Sequence, residues 1–259
     1  MAVKRFDKPL FGLLWLMGFV GELSVLFVSF PAEAMANLPL PVFAIKLISL
    51  LQALIILSIA NFFGVMLSPK VGLSAPLSEA FLSGNSDLSH IFKQQALPGL
   101  IGGSVGIALN LAWFLSMKPL LPLDFLTAAA NTTIPFATRL LKGGIAEEIV
   151  LRWGLMTLLV WLCWRLLQKG KGQPHGASIL IATVVSALMF GLLHLPAAAL
   201  LSASLTLPLV VYVIIGNTIF GLVAGYLYVK HGLESAMLAH MFFHVVLVAV
   251  QKMSFTILV

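Results

Sequence analysis

Seven apolar runs, each about 20 residues long, divide this 259-residue chain, and no other feature narrows its possible folds as much. A run of that length is what an α-helix needs to cross the hydrocarbon core of a bilayer, roughly 30 Å thick. The runs lie at about 10–30, 41–67, 96–117, 143–167, 177–195, 208–229 and 233–251. Composition agrees, because 60% of residues are hydrophobic and only 9% are charged, against roughly 25% charged in a soluble domain. That balance excludes a water-soluble fold. A β-barrel would need alternating apolar and polar positions, and runs such as Leu47 to Leu57 and Leu205 to Ile215 do not alternate. The expected fold class is all-α, a multispanning transmembrane helix bundle of about seven or eight helices, forming a single integral membrane domain over residues 1–259.

Two long connections separate the runs. Residues 68–95 read as a surface loop with a short interfacial helix, and residues 118–142, interrupted by Pro119, Pro122 and Pro135, read as a connection that can re-enter the membrane. With the N-terminus inside, nine Lys and Arg fall on the inner side and four on the outer, which favours a cytoplasmic N-terminus and a cytoplasmic basic loop Gln168–Gly176. The first run resembles a secretory signal in its Lys4, Arg5 and Lys8 flank and its Ala32-Glu33-Ala34 site. It is longer than the 7 to 15 apolar residues of a signal and is expected to stay as an anchor. Gly99, Gly102, Gly103, Gly106, Gly221 and Gly225 fall at GxxxG spacings that let helix backbones approach closely, with packing inside the bundle as the expected use. The single cysteine, Cys163, excludes an intrachain disulfide. No basic stripe with interleaved aromatics is present, so nucleic acid is not an expected partner. Membrane lipid is one.

Ionisable side chains inside membrane helices cost a few kcal/mol each and usually mark function. Glu22 and Lys46 stand alone on the first two runs and read as an ion pair between them. The segment Glu147-Glu148-Ile149-Val150-Leu151-Arg152 is more specific. On an α-helix Glu148 and Arg152 share a face and can pair, whereas Glu147 points about 100° away with Leu151 at i+4, leaving it free to accept a proton. Phe190 with His194, and His240 with His244, are further i, i+4 pairs, and two histidines at that spacing can converge on one metal ion. His90, His175 and His231 are expected in loops. A common site demands comparable depth, which is reached if the fourth helix starts nearer Phe136 and the fifth continues past Pro196 to Leu205.

These residues resemble the signature of the CPBP family, the CAAX amino-terminal protease and bacteriocin-processing group that includes the Ras-converting endopeptidases. That family carries EExxxR, then FxxxH, then a late HxxxN or similar on separate helices. This chain has Glu147 to Arg152, Phe190 to His194 and His240 to His244 in the same order, over a core of about 143–250. His244 departs from the common Asn, which leaves open whether that position donates a hydrogen bond or binds metal. The resemblance implies an intramembrane endopeptidase whose catalytic residues are Glu147, Glu148, Arg152, His194, His240 and His244. Glu147 would activate water, His194 and His240 would hold a metal ion or the water itself, and Glu148 with Arg152 would support the site. Zn²⁺ or another divalent ion held by His194, His240 and His244 is the cofactor to test. Without one, His240 and His244 could donate to the oxyanion. Expected partners are a peptide or lipidated-protein substrate, and the expected location is the plasma membrane of a bacterium or the endoplasmic reticulum of a eukaryote. A proton- or metal-coupled transporter and a non-enzymatic scaffold or immunity protein are the alternatives from other classes.

Overall fold

The computed structural model describes residues 6–29 and 40–257. Among them are seven helical spans long and apolar enough to cross a membrane. They are α1 (Lys8–Leu23, continued by a 3₁₀ turn Ser24–Phe27), α2 (Val42–Val71), α4 (Leu88–Met117), α6 (Phe136–Leu167), α7 (Gly176–Leu193) with its continuation α8 (Leu195–Leu200), α9 (Leu207–His231) and α10 (Leu233–Ile257). Two short helices, α3 (Pro76–Leu82) and α5 (Leu123–Asn131), lie in the connections. No strand accompanies them among the described residues beyond one bridge between Ser29 and Thr133. The chain is a multispanning all-α bundle and an integral, multi-pass membrane protein. The Ala32-Glu33-Ala34 site lies outside the described residues.

Helix ends follow their capping chemistry more closely than their hydropathy. The α1 start is set by Asp7, whose Oδ1 accepts from the Leu10 N–H at 3.0 Å, with Pro9 at a position that needs no donor. The expected loop over residues 68–95 is instead mostly helix: α2 runs on to Val71, Gly72 closes it at φ 73°, and α4 begins at Leu88. Its first turns carry His90, Lys93, Gln94 and Gln95, polar residues that hid the helix from an apolar count. His90 therefore sits on a helix, bonded to Gln94 at 2.9 Å, and His231 is the last residue of α9, so neither is in a loop. Residues 118–135 hold a 3₁₀ turn, Lys118–Leu120, and the nine-residue α5, about 13 Å long at 1.5 Å per residue, too short to add an eighth span. The fourth span does start at Phe136, and α8 does carry the fifth past Pro196 as far as Leu200.

Small residues let the spans close on one another. A side chain at Gly99 would meet Leu238, one at Gly102 would meet Leu227, and one at Gly103 would run into the Ala239 carbonyl. Gly221 sits against Ala187 and Gly225 against Thr183, joining α9 to α7. All six glycines therefore pack within the bundle. The largest buried side chain, Trp153 of α6, lies over Gly64 of α2, donates to Asn61 Oδ1 at 3.2 Å and meets Tyr228 edge-on. Asn61 in turn donates to the Phe11 carbonyl of α1 at 2.9 Å. The opposite face of α2 exposes Phe43, Leu47, Ile48, Leu51, Ile55 and Ile59, the surface expected of a helix in lipid. Phe6 stacks near Phe62, and Gly72 lies beside Gln173, so the start of α1, the end of α2 and the basic loop share one end of the bundle.

Candidate active site

The carboxylates sit on α6, in a stretch that is not α-helical. From Arg139 to Glu147 and again from Ile149 to Met156 the backbone is π-helical. Each N–H reaches one residue further back than in an α-helix, and such segments are frequent at functional sites. The expected angle of about 100° between Glu147 and Glu148 assumed α geometry and is corrected here, since the wider turn brings i+5 neighbours as well as i+4 neighbours onto a face.

Glu148 is bound from two sides. Its Oε1 accepts from Arg152 Nη1 at 3.1 Å and from His240 Nδ1 at 2.7 Å, with side-chain exposures of 0% for Glu148 and 1% for Arg152. The expected Glu148–Arg152 pair thus forms, and His240 joins it from α10. Arg152 is further fixed by a bond from Nη2 to the Gly221 carbonyl at 3.2 Å and by the Phe190 ring, 4.9 Å from its guanidinium carbon. A carboxylate can only accept, so the proton of His240 is on Nδ1 and Nε2 is left to the reaction space. His194 is held the same way, its Nδ1 donating to the Phe190 carbonyl at 2.8 Å.

Glu147 is treated differently. Only half-buried, it makes no hydrogen bond or ion pair among the described residues, while His194, Lys142, His240 and Arg152 surround it electrostatically. His240 and His244 stack with centroids 4.9 Å apart and planes at 18°, and their Nε2 atoms both face Gly143, where an added Cβ would lie 2.5 Å from His244 Nε2 and 3.6 Å from His240 Nε2. Any side chain at residue 143 would fill that space. The six sequence-derived residues are therefore brought together by α6, α7 and α10.

An accepting partner on the far nitrogen, as His194 and His240 have, is the usual support of a metal-binding imidazole. Among the described residues, however, no three His, Cys, Asp or Glu side chains are grouped to hold an ion. The set His194, His240 and His244 does not fit a metal centre in this geometry.

Three features escaped the sequence reading. Glu22 pairs with Lys142 of α6 at 2.8 Å, not with Lys46. Lys46 instead donates to the Leu26 and Val28 carbonyls at 2.8 and 2.7 Å, which the 3₁₀ turn ending α1 leaves free. The third is a cavity of about 270 Å³ beside His194, lined also by Asn110 and Asn217. The signal the sequence offers for it is an amide inside an apolar run, which is polar without being ionisable.

A buried carboxylate and guanidinium on one span, met by imidazoles from two others, define a polytopic membrane protein with an intramembrane polar site. Residues 129–246, a segment that contains all six residues, match the sequence model of the type II CAAX prenyl endopeptidase Rce1-like family. No curated protein and no solved structure matches it.

Proposed function

We propose that the protein is an intramembrane endopeptidase that hydrolyses a peptide bond of a membrane-associated or lipidated substrate, with Glu147 as the general base. The observation that carries this reading is the contrast between the two adjacent carboxylates. Glu148 is claimed by Arg152 and His240, while Glu147 has no bonded partner among the described residues and faces His194 and His240.

In the proposed reaction, water gives one proton to Glu147 as its oxygen adds to the peptide carbonyl carbon. The lone pair on His194 Nε2 accepts the other water O–H and orients it. In its imidazolium form His240, with Nδ1–H held by Glu148, would offer Nε2–H to the oxyanion, a preorganised donor of the kind that stabilises acyl-transfer intermediates. Collapse of the intermediate breaks the C–N bond, and Glu147 returns its proton to the leaving nitrogen. Atoms and charges balance with no metal step.

The test is peptide cleavage by protein purified in detergent, assayed on a library of prenylated and unprenylated peptides. Glu147→Gln keeps the shape but removes the base, and the rate should fall by about 10² to 10⁴ with folding unchanged. An active variant overturns the role. Metal analysis accompanies it: one bound ion per chain, with activity lost on chelation, would reassign the histidines.

A further inference from the structure

We propose that the cavity beside His194 is a subsite for a short, uncharged, extended peptide segment next to the scissile bond. This deepens and rests on the endopeptidase reading. The cavity shares His194 with the reaction centre and measures about 270 Å³, near the lower bound of ligand pockets at about 300 Å³. It suits a few small atoms groups of backbone and side chain, not a whole lipid.

Its polar lining is specific. Asn110 of α4 and Asn217 of α9 each tie Nδ2 to the carbonyl one turn back, Gly106 at 3.1 Å and Val213 at 2.8 Å. Those bonds fix both carboxamides and leave on each an Oδ1 acceptor and a second N–H donor. One acceptor beside one donor is the complement of a peptide unit's N–H and C=O. The remaining wall is mostly apolar, from Phe125, Ala198, Leu201 and Val213 with Tyr212 as its one phenol, and the lining includes no Lys, Arg, Asp or Glu. A free carboxylate or a charged side chain would therefore find no counterion other than His194.

Two further details keep the space open. Gly216 forms part of the lining, and an added Cβ there would already lie 3.3 Å from Trp113 and 3.4 Å from Asn110 Oδ1. At the mouth, Asp124 Oδ2 accepts from Ala203 N–H at 2.7 Å and Ser202 Oγ at 3.1 Å, joining α5, which carries Phe125, to the loop after α8, whose last turn leads into Leu201.

The experiment uses the full chain in detergent and a capped Ala/Leu heptapeptide with benzoylphenylalanine at its centre. After ultraviolet cross-linking, labelled residues are mapped by mass spectrometry, and KM and kcat are measured on a cleaved library peptide. Wild type should be labelled at the lining residues, Asn110, Phe125 or positions within 194–217. Asn110→Leu and Asn217→Leu should each weaken labelling and raise KM about 2- to 10-fold, the worth of one hydrogen bond, with kcat little changed. Ala197→Trp, at an exposed lining position, should block labelling and decides the matter if an Asn variant fails to fold. Labelling confined to other residues, or unmoved by these variants, overturns the subsite. Labelling here without cleavage of any peptide keeps the peptide site and overturns the endopeptidase reading, whereas cleavage with KM unmoved in all three does the reverse.

Discussion

At the scale of single residues, the site depends on one buried carboxylate serving two donors, the Arg152 guanidinium and the His240 imidazole. Removing Arg152 would leave Glu148 with His240 alone, and breaking a buried ion pair from one side typically costs about 3 to 5 kcal/mol. Arg152→Ala should therefore lower the melting temperature and expression as well as activity, whereas Glu147→Gln should lower activity alone. Equal melting of Arg152→Ala and wild type would defeat the ion-pair role. A gentler contrast is Glu22→Gln, because Glu22 is buried but its partner Lys142 is about one-third exposed and can still reach water. Its melting point should fall less than that of Arg152→Ala. The Glu148–Arg152 pair could be read from spacing because both partners sit on one helix. His240 donating to Glu148 could not, since it depends on how α10 is rotated against α6, and Glu22 finding Lys142 depends on α1 lying against α6 and not only against α2.

At the scale of elements, polar helix ends set the limits of the reading. The first turns of α4 and of α6 carry too many polar residues for a hydropathy count, so both helices look shorter in sequence than they are. The clasp at Asp124 gives a prediction at this scale. Backbone N–H groups of Ala203, first, and Phe125 hold its carboxyl below the ordinary 3.8. The folded state thus favours the charged form, so the clasp contributes fully above the ordinary value and is lost as pH falls through the lower folded one. Proteolysis of the 201–206 loop should accelerate as pH drops below about 4, and Asp124→Asn should make it fast and flat with pH. A pH-independent loop in wild type would show that the clasp holds nothing.

At the scale of the whole molecule, the run lengths were enough to read the span count and the all-α class, because satisfying every backbone group in lipid leaves few other solutions. Lys70 and Lys171 are placed at one end, with Lys118 leading out of α4 at the other. Single cysteines at these positions, in a Cys163→Ser background, should label from one side of sealed vesicles for the first two and from the other side for the third. Labelling of Lys70 and Lys171 positions from opposite sides would sink the arrangement. α6 occupies the middle of this assembly, touching α1 and α10 through its first π-helical stretch and α2, α7 and α9 through its second. Its wide turns have a genetic consequence. A π-helical turn holds one residue more than an α-helical one, so losing one codon between Arg139 and Glu147 can close that backbone to the commoner α-helix while the residues on either side keep their partners on other helices. A side chain in place of Gly143 has no such outlet, because it would fill the space that the two histidines face, so related chains that keep the activity should vary here in number more readily than they vary at residue 143.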